Sequence, residues 1–317
     1  IDLARQRGNS LEEDLAARDL TINALAMAPA AFWSSARGEV ASPQVVDPFE
    51  GMADMRAGRI RAVAERAFRD DPLRTLRVVR LAAELDLAVE PQTAGWAREA
   101  AGLLPRVSWE RIRDETMRLL ACPRAAPYLP LLDEFSLLLY ALPEVGEARE
   151  DPGLAHLWET VCCLEWIAAS LAGDEGAGPD GPFWRPAALA SHPDLAFDLP
   201  GARQVDRYLQ SALAGQRRRA ALLKMAALLH HGEGQGARRA GVRLRLSGRE
   251  VSELGRALLH LPDVLLLTGE EVSPLEVYRL HREAGEAAGG VLLLGLAHEM
   301  AAAGRALGRA GWAARVE

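Results

Sequence analysis

The chain has 317 residues, 49% of them apolar, and a formal net charge of -7. That length and apolar content exclude a disordered chain and suit two or three packed units, while the acidic balance excludes a uniformly basic nucleic-acid coat but leaves room for a local basic channel. No stretch has the length and apolarity of a membrane span and no secretory signal is visible. The three cysteines, Cys122, Cys162 and Cys163, lack C-x-x-C spacing and read as buried thiols in a reducing, cytoplasmic setting. Ala, Leu, Gly and Arg dominate and strand-like runs are few, so a mostly helical protein is expected.

The chain opens on Ile1 rather than Met, inside an apolar strand-like run that carries Asp2, which reads as an internal start. Ser10 and Glu13 have the spacing of a capping box and predict a helix over the following residues. The segment RDLTINALAM, residues 18–27, is predicted to continue as helix, which puts Asp19 and Asn23 on one face. Neither residue favours a helix interior, so the pair is either a helix-start cap or a functional feature. From Val45 the pattern shortens, with turn signals at Asp47-Pro48, Glu50-Gly51 and Ala57-Gly58, and residues 59–63 alternate like one strand of a hairpin.

FRDDPLRTLRVVRLAAEL, residues 68–85, is the most informative stretch. Asp70 and Asp71 precede Pro72, which suits the start of a helix. Arg74, Arg77 and Arg80 recur every third residue, and Leu73, Leu76, Val79, Ala83 and Leu85 fall broadly on the other side. Asp71 to Arg74 and Asp70 to Arg74 have ion-pair spacing. Such a window is either an ordinary capped helix with surface ion pairs or a recognition surface. In the second reading a carboxylate accepts from the exocyclic amine of a base and a guanidinium donates to the ring nitrogen beside it. Ser108 starts a helix with Glu110 and Arg111 in its first turn. Beyond Cys122, helices are expected over roughly 124–145, 153–172, 201–215, 217–231, 247–261, 273–287 and 290–308, with a Gly-, Asp- and Pro-rich loop near 173–182. The basic runs Arg217, Arg218, Arg219 and 238–249 can contact phosphates or simply solvate helix ends.

Four windows occur in one order: LEEDLAARDLTINALAM, DPFEGMADMRAGRIRAV, FRDDPLRTLRVVRLAAELDL and SWERIRDETMRLL. Together they resemble the bacterial class II tRNA nucleotidyltransferase and poly(A) polymerase family, over about residues 1–125. The resemblance implies a mostly α chain. Residues 1–63 would end a small mixed α/β head, 64–125 would be a helical neck that reads the base, and 126–317 a helical body and tail that holds tRNA. It implies template-independent addition of CMP, AMP or both to the tRNA 3′ end from CTP and ATP, with Mg2+. The partners would be the tRNA acceptor end and the two nucleotides, with no membrane, as a monomer or homodimer. Poly(A) polymerase and a non-catalytic RNA-binding derivative are the alternatives.

Residue by residue, Arg18, Asp19 and Asn23 match the motif around the ribose and triphosphate. Asp71 and Arg74 match the base-reading pair, with Asp70 orienting Arg74, and Arg77 and Arg80 continue the row. Asp47, Gly51 and Asp54 match a motif that links head and neck, and Glu110 and Arg111 the last neck motif, all read as structural. Asp2 sits where the family places a strand acid near the metal-binding pair, as a third metal ligand or as the group polarising the attacking hydroxyl. Arg217, Arg218 and Arg219 are the tRNA-contact candidates.

The resemblance has gaps. The Gly-rich strand-turn-helix and the Asp-x-Asp pair that holds magnesium do not occur in residues 1–317 and are expected upstream of Ile1, so these residues alone are expected to be inactive. Ala17 replaces a usual arginine, Asp70 a usual glutamate and Leu20 a usual aromatic. Residues 221–234 also resemble the His-Asp segment of metal-dependent phosphohydrolases, with His156 at an upstream ligand position. Here His230 is followed by His231 instead of Asp, so a degenerate region is expected, with these histidines packing or capping helices.

Overall fold

The computed structural model describes residues 8–37, 44–146, 153–173, 202–231, 235–267 and 273–302. Asp2 lies outside the described residues. The chain is mostly helical, and among the described residues the strands form three two-stranded sheets. None of the described helices is long and apolar enough to cross a membrane.

The first helix, Leu11–Ala16, is capped as its spacing predicts: Ser10 Oγ accepts from the amide of Glu13 at 3.2 Å. Glu13 reaches one residue further back than a closed box, accepting from the Asn9 amide at 2.6 Å. The helix predicted over 18–27 does not form. Leu20 makes an antiparallel bridge with Ala62, Thr21–Asn23 is a 3-10 turn, and Ala26–Met27 pairs antiparallel with Val45–Val46. The physical reason lies in Asp19 and Thr21. The Asp19 carboxylate takes the Leu20 amide at 2.9 Å, and the Thr21 amide donates to the Arg61 carbonyl at 2.9 Å. Both bonds offer the backbone an alternative to the helix.

Arg59–Ile60 pairs in parallel with Ala88–Val89, not in a local hairpin. The strand is drawn into a core where Leu20, Ile60 and Phe68 are fully buried. The helix Arg66–Asp70 stops at Asp71, whose backbone is extended (φ -144, ψ 96), and helix resumes as Arg74–Leu85. Pro72 accounts for the break, because the residue before proline is pushed out of the helical region. Leu76, Val78, Val79, Ala82 and Ala83 bury the inner face of the second piece.

The helix predicted over 124–145 is four short pieces: Ala126–Tyr128 (3-10), Pro130–Glu134, Leu138–Ala141 and Pro143–Gly146. Pro130 and Pro143 each open a new turn, and Ser136 takes a left-handed backbone (φ 59) between them. Further along the chain, Leu154–Ala172 packs against Ala288–Ala302, Arg219–Leu229 and Ala202–Gln210. The predicted helices 201–215 and 217–231 are shortened by a small antiparallel hairpin, Ala212–Ala214 with Arg217–Arg218, and Gln235–Arg243 is an additional helix. The capping boxes at Ser247/Glu250 and Ser273/Glu276 both close.

The helices Leu154–Ala172 and Arg219–Leu229 are tied by buried charges to the residues that follow Trp109–Ala121. Lys224 Nζ donates to the Cys122 carbonyl at 2.6 Å and to Glu165 Oε1 at 2.7 Å. Glu165 also accepts from the amides of Ala125 and Ala126, at 2.7 and 3.2 Å. All three cysteines are buried, and burial pushes the Cys122 thiol up to about 11.

Candidate functional site

Between the N-terminal segment and the Arg74–Leu85 helix lies a cleft of about 350 Å³, lined by Arg18, Asp19, Asn23, Arg74, Arg77, Arg80 and Leu81. Residues up to 63 positions apart thus line one cleft, although the segment expected to be helical is a bridge and a 3-10 turn.

Asp19 is the buried centre of this cleft, 5% exposed. Its Oδ1 accepts from the Leu20 amide and from Asn23 Nδ2 at 3.1 Å. Its Oδ2 lies 3.3 Å from Arg77 Nε, out of line for a hydrogen bond, and has no hydrogen-bond partner. A buried carboxylate oxygen without a donor is costly, so this oxygen is suited to a hydroxyl supplied by a ligand. Arg77 is 44% exposed at its side chain and carries positive charge at the rim. Arg18 extends from the same segment and is steadied by Asp14, whose Oδ2 accepts from Arg18 Nη2 at 2.7 Å.

Arg74 is buried, and its partners are main-chain carbonyls. Nη2 donates to Ala17 at 3.0 Å, and Nη1 lies 3.4 Å from the carbonyls of Arg18 and Ala67. Orientation of Arg74 therefore comes from the backbone that carries Arg18 and Asp19. Asp70 is exposed at the end of its helix. Asp71 Oδ1 accepts from the Leu73 amide at 3.3 Å, the local cap its position predicts, and Oδ2 accepts from Arg111 Nη2 at 2.7 Å. Neither Asp70 nor Asp71 lines the cleft. Arg80 lines it but is committed elsewhere: Nε donates to Glu115 Oε2 at 2.6 Å, and Nη1 donates to Glu84. Burial alone would lower the Arg80 pKa, but the two carboxylates hold it raised. Arg80 thus ties the Arg74–Leu85 helix to Trp109–Ala121.

Asp47, Gly51 and Asp54 form a brace behind the cleft. Asp47 caps Gly51–Arg56, accepting from the amides of Gly51 at 2.7 Å and Met52 at 3.0 Å. A side chain at Gly51 would meet the Thr21 carbonyl at 2.2 Å, so only glycine lets this helix approach the turn behind Asp19 and Asn23. Asp54 is fully buried and accepts from Thr21 Oγ1 at 2.7 Å, Arg59 Nε at 2.8 Å and Arg61 Nε at 2.8 Å. Burial pushes its pKa up, but these donors outweigh it and the carboxyl is held below its ordinary value.

Glu110 pairs with Arg245 at 3.2 Å on the surface. Arg217 grips the buried Glu250 with two bonds, at 2.6 and 2.9 Å. Arg219 bonds Glu253 and Glu286, each at 2.8 Å. Arg218 is exposed, bonded to Gln210 at 2.7 Å. Sequence reasoning passed over Asp14, Glu84 and Glu115 as the holders of cleft arginines. The i,i+4 spacing of Asp14 and Arg18, and of Arg80 and Glu84, carried a signal; the Glu115 contact crosses 35 residues and carried none. The carboxylates around this cleft are not clustered as a magnesium ion requires: Asp19 stands alone there among the described residues.

Two family models match the chain. Residues 3–61 match the poly A polymerase head domain, and residues 86–148 match the family described as "Probable RNA and SrmB- binding site of polymerase A". A CCA-adding enzyme of Geobacillus stearothermophilus is 36% identical over 196 residues, 61% of this chain and 45% of the relative. An A-adding tRNA nucleotidyltransferase of Deinococcus radiodurans is 36% identical over 155 residues, 47% of this chain and 33% of the relative. The chain therefore spans less than half the length of these curated relatives. A solved structure titled "tRNA-processing enzyme (apo form 2)" shares the fold with a TM-score of 0.59 at 18% identity, over 98% of this chain and 76% of that one.

Proposed function

Because the chain belongs to the tRNA nucleotidyltransferase and poly(A) polymerase family, we propose that it takes part in template-independent addition of CMP, AMP or both to the 3′ end of tRNA, holding the incoming CTP or ATP in the cleft around Asp19. The observation that carries this reading is the Asp19 oxygen without a hydrogen-bond donor, set beside Asn23 and 3.3 Å from Arg77 in a cleft that Arg18 also lines. Asp19 and Asn23 bind sugar hydroxyls, and Arg18 and Arg77 neutralise phosphate. Arg74, in the cleft lining, and Asp71, outside that lining and released from Arg111 on binding, read the base edge. Cytosine and adenine present an amine where the carboxylate needs a donor; uracil and guanine present an oxygen and are rejected. The pair Asp71–Arg111 is partly exposed, so exchanging it for a base amine costs little. Residues 1–63, 64–125 and 126–317 act as end of the head, base-reading neck and tRNA-holding body.

In the reaction the primer 3′-hydroxyl attacks the α-phosphate in line and pyrophosphate leaves. Magnesium is the expected ion, in a cytoplasmic setting, with the Asp-x-Asp pair and Asp2 as its ligands. The described residues do not offer that donor set, and no step is assigned through it. Equal identity to a CCA-adding and an A-adding relative leaves the nucleotide order to experiment.

The test is incorporation of labelled CMP and AMP into tRNA lacking its 3′ end, by protein expressed from the complete reading frame. Entry of both in turn makes it CCA-adding, and one alone makes it CC- or A-adding. Long AMP tails on any RNA point to poly(A) synthesis. No incorporation, with tRNA still bound, contradicts the catalytic reading.

A further inference from the structure

A second polar cluster lies in the helical body, away from the cleft. His156 stands in the first turn of Leu154–Ala172, His230 at the C-terminal end of Arg219–Leu229, and His298 inside Ala288–Ala302. These are three helices that pack on one another. His298 Nδ1 lies 3.1 Å from His156 Nε2 and 3.0 Å from His230 Nε2. The three nitrogens all fall within 4.8 Å of one another. We infer that His156 Nε2, His230 Nε2 and His298 Nδ1 form a three-histidine site for a zinc-class divalent transition metal, which pins the three helices together.

The tautomers carry the argument. His230 Nδ1 is 2.7 Å from the Ala227 carbonyl, so it holds the proton and leaves Nε2 as a lone pair aimed at His298. A proton on His298 Nδ1 can satisfy that lone pair. The same nitrogen then cannot accept from His156, 3.1 Å away, and one proton cannot lie linearly on both contacts. A cation at the centre resolves the conflict by taking all three lone pairs at once. Zinc–imidazole bonds of about 2.0–2.1 Å in a tetrahedron place the nitrogens about 3.3 Å apart. Two edges, at 3.1 and 3.0 Å, are already close to that, and the third lies within 4.8 Å. The Ala227 carbonyl does for His230 what a second layer of ligands does in such sites, fixing the tautomer and the ring plane. Imidazole sets of this kind suit zinc, copper or nickel, not magnesium. His298 is the residue that makes the set. It comes 142 residues after His156, and it was not among the histidines that sequence reasoning singled out.

The test uses the whole chain, stripped with a chelator and titrated with Zn2+ alone. A His260→Ala background removes the competing group of His260, Asp263 and Glu283. The site predicts one tightly held zinc per chain and a melting temperature that rises with zinc. His298→Asn should weaken binding by about 10–100-fold with the circular dichroism unchanged. Zinc bound equally by His298→Asn and His156→Asn, or no tight zinc at all, overturns the assignment. Should His298→Asn fail to fold, Co2+ in the unsubstituted chain decides. Intense visible bands of a tetrahedral nitrogen site support it. A weak octahedral spectrum, or thiolate charge transfer, refutes it.

Discussion

Asp19 and Arg77 face each other across the cleft at 3.3 Å without forming an aligned hydrogen bond. The carboxylate is buried and the guanidinium half-exposed, so the pair is pre-set and leaves Asp19 Oδ2 open to a donor. Asp19→Asn keeps the bond to the Leu20 amide but removes the charge. It should weaken CTP and ATP binding by about 10–100-fold, the range expected for a charged hydrogen bond, with little change in melting temperature. Calorimetric titration of each nucleotide checks it.

Asp54 gives the clearest stability prediction. Its carboxylate is buried beneath Thr21, Arg59 and Arg61, and Asp54→Ala should cost about 3 kcal/mol by urea denaturation. The folded pKa lies below the ordinary 3.8. The stabilisation is therefore fully present above 3.8 and is lost as pH falls through the lower, folded value. Asp54→Asn should flatten that acid-side loss relative to the unsubstituted chain.

The helices Arg219–Leu229 and Leu154–Ala172 are tied together by Lys224 and Glu165, which are both buried. Lys224→Met leaves Glu165 as a buried charge and should destabilise by about 3–5 kcal/mol. Adding Glu165→Gln should recover part of the loss, and the double-mutant cycle should return a coupling of about 1–3 kcal/mol.

How much of this was legible in the sequence depended on range. Asp47 capping Gly51, and Ser273 with Glu276, were readable because each bond closes within five residues. The meeting of Asp19 with Asn23 was also readable, but its cause was not. Both a helix and the observed 3-10 turn bring positions four apart together, and the choice was made by the Thr21 bond to Arg61, 40 residues away. The roles of the arginines were the least legible. Arg77 and Arg80 look equivalent in the row, yet Glu115 takes Arg80 and leaves Arg77 at the rim. Likewise Glu250 and Glu253, 33 and 34 residues downstream, occupy Arg217 and Arg219.

That last point separates three neighbouring arginines. Arg218→Ala should weaken tRNA binding uniformly across sequences and reduce the salt slope by about 1. Arg217→Ala should chiefly lower stability, because it strands the buried Glu250. Filter binding across a salt series, beside thermal melts, tells the two apart.

The most direct measurement of the central claim is equilibrium binding of CTP, ATP, UTP and GTP to the chain and to its Asp19→Asn and Arg74→Ala variants. The account predicts that CTP and ATP bind at least about tenfold more tightly than UTP and GTP, a preference of about 1.4 kcal/mol. It predicts further that Asp19→Asn weakens all binding while Arg74→Ala erases the preference. Equal affinity for all four nucleotides, or a preference that survives in Arg74→Ala, would contradict it.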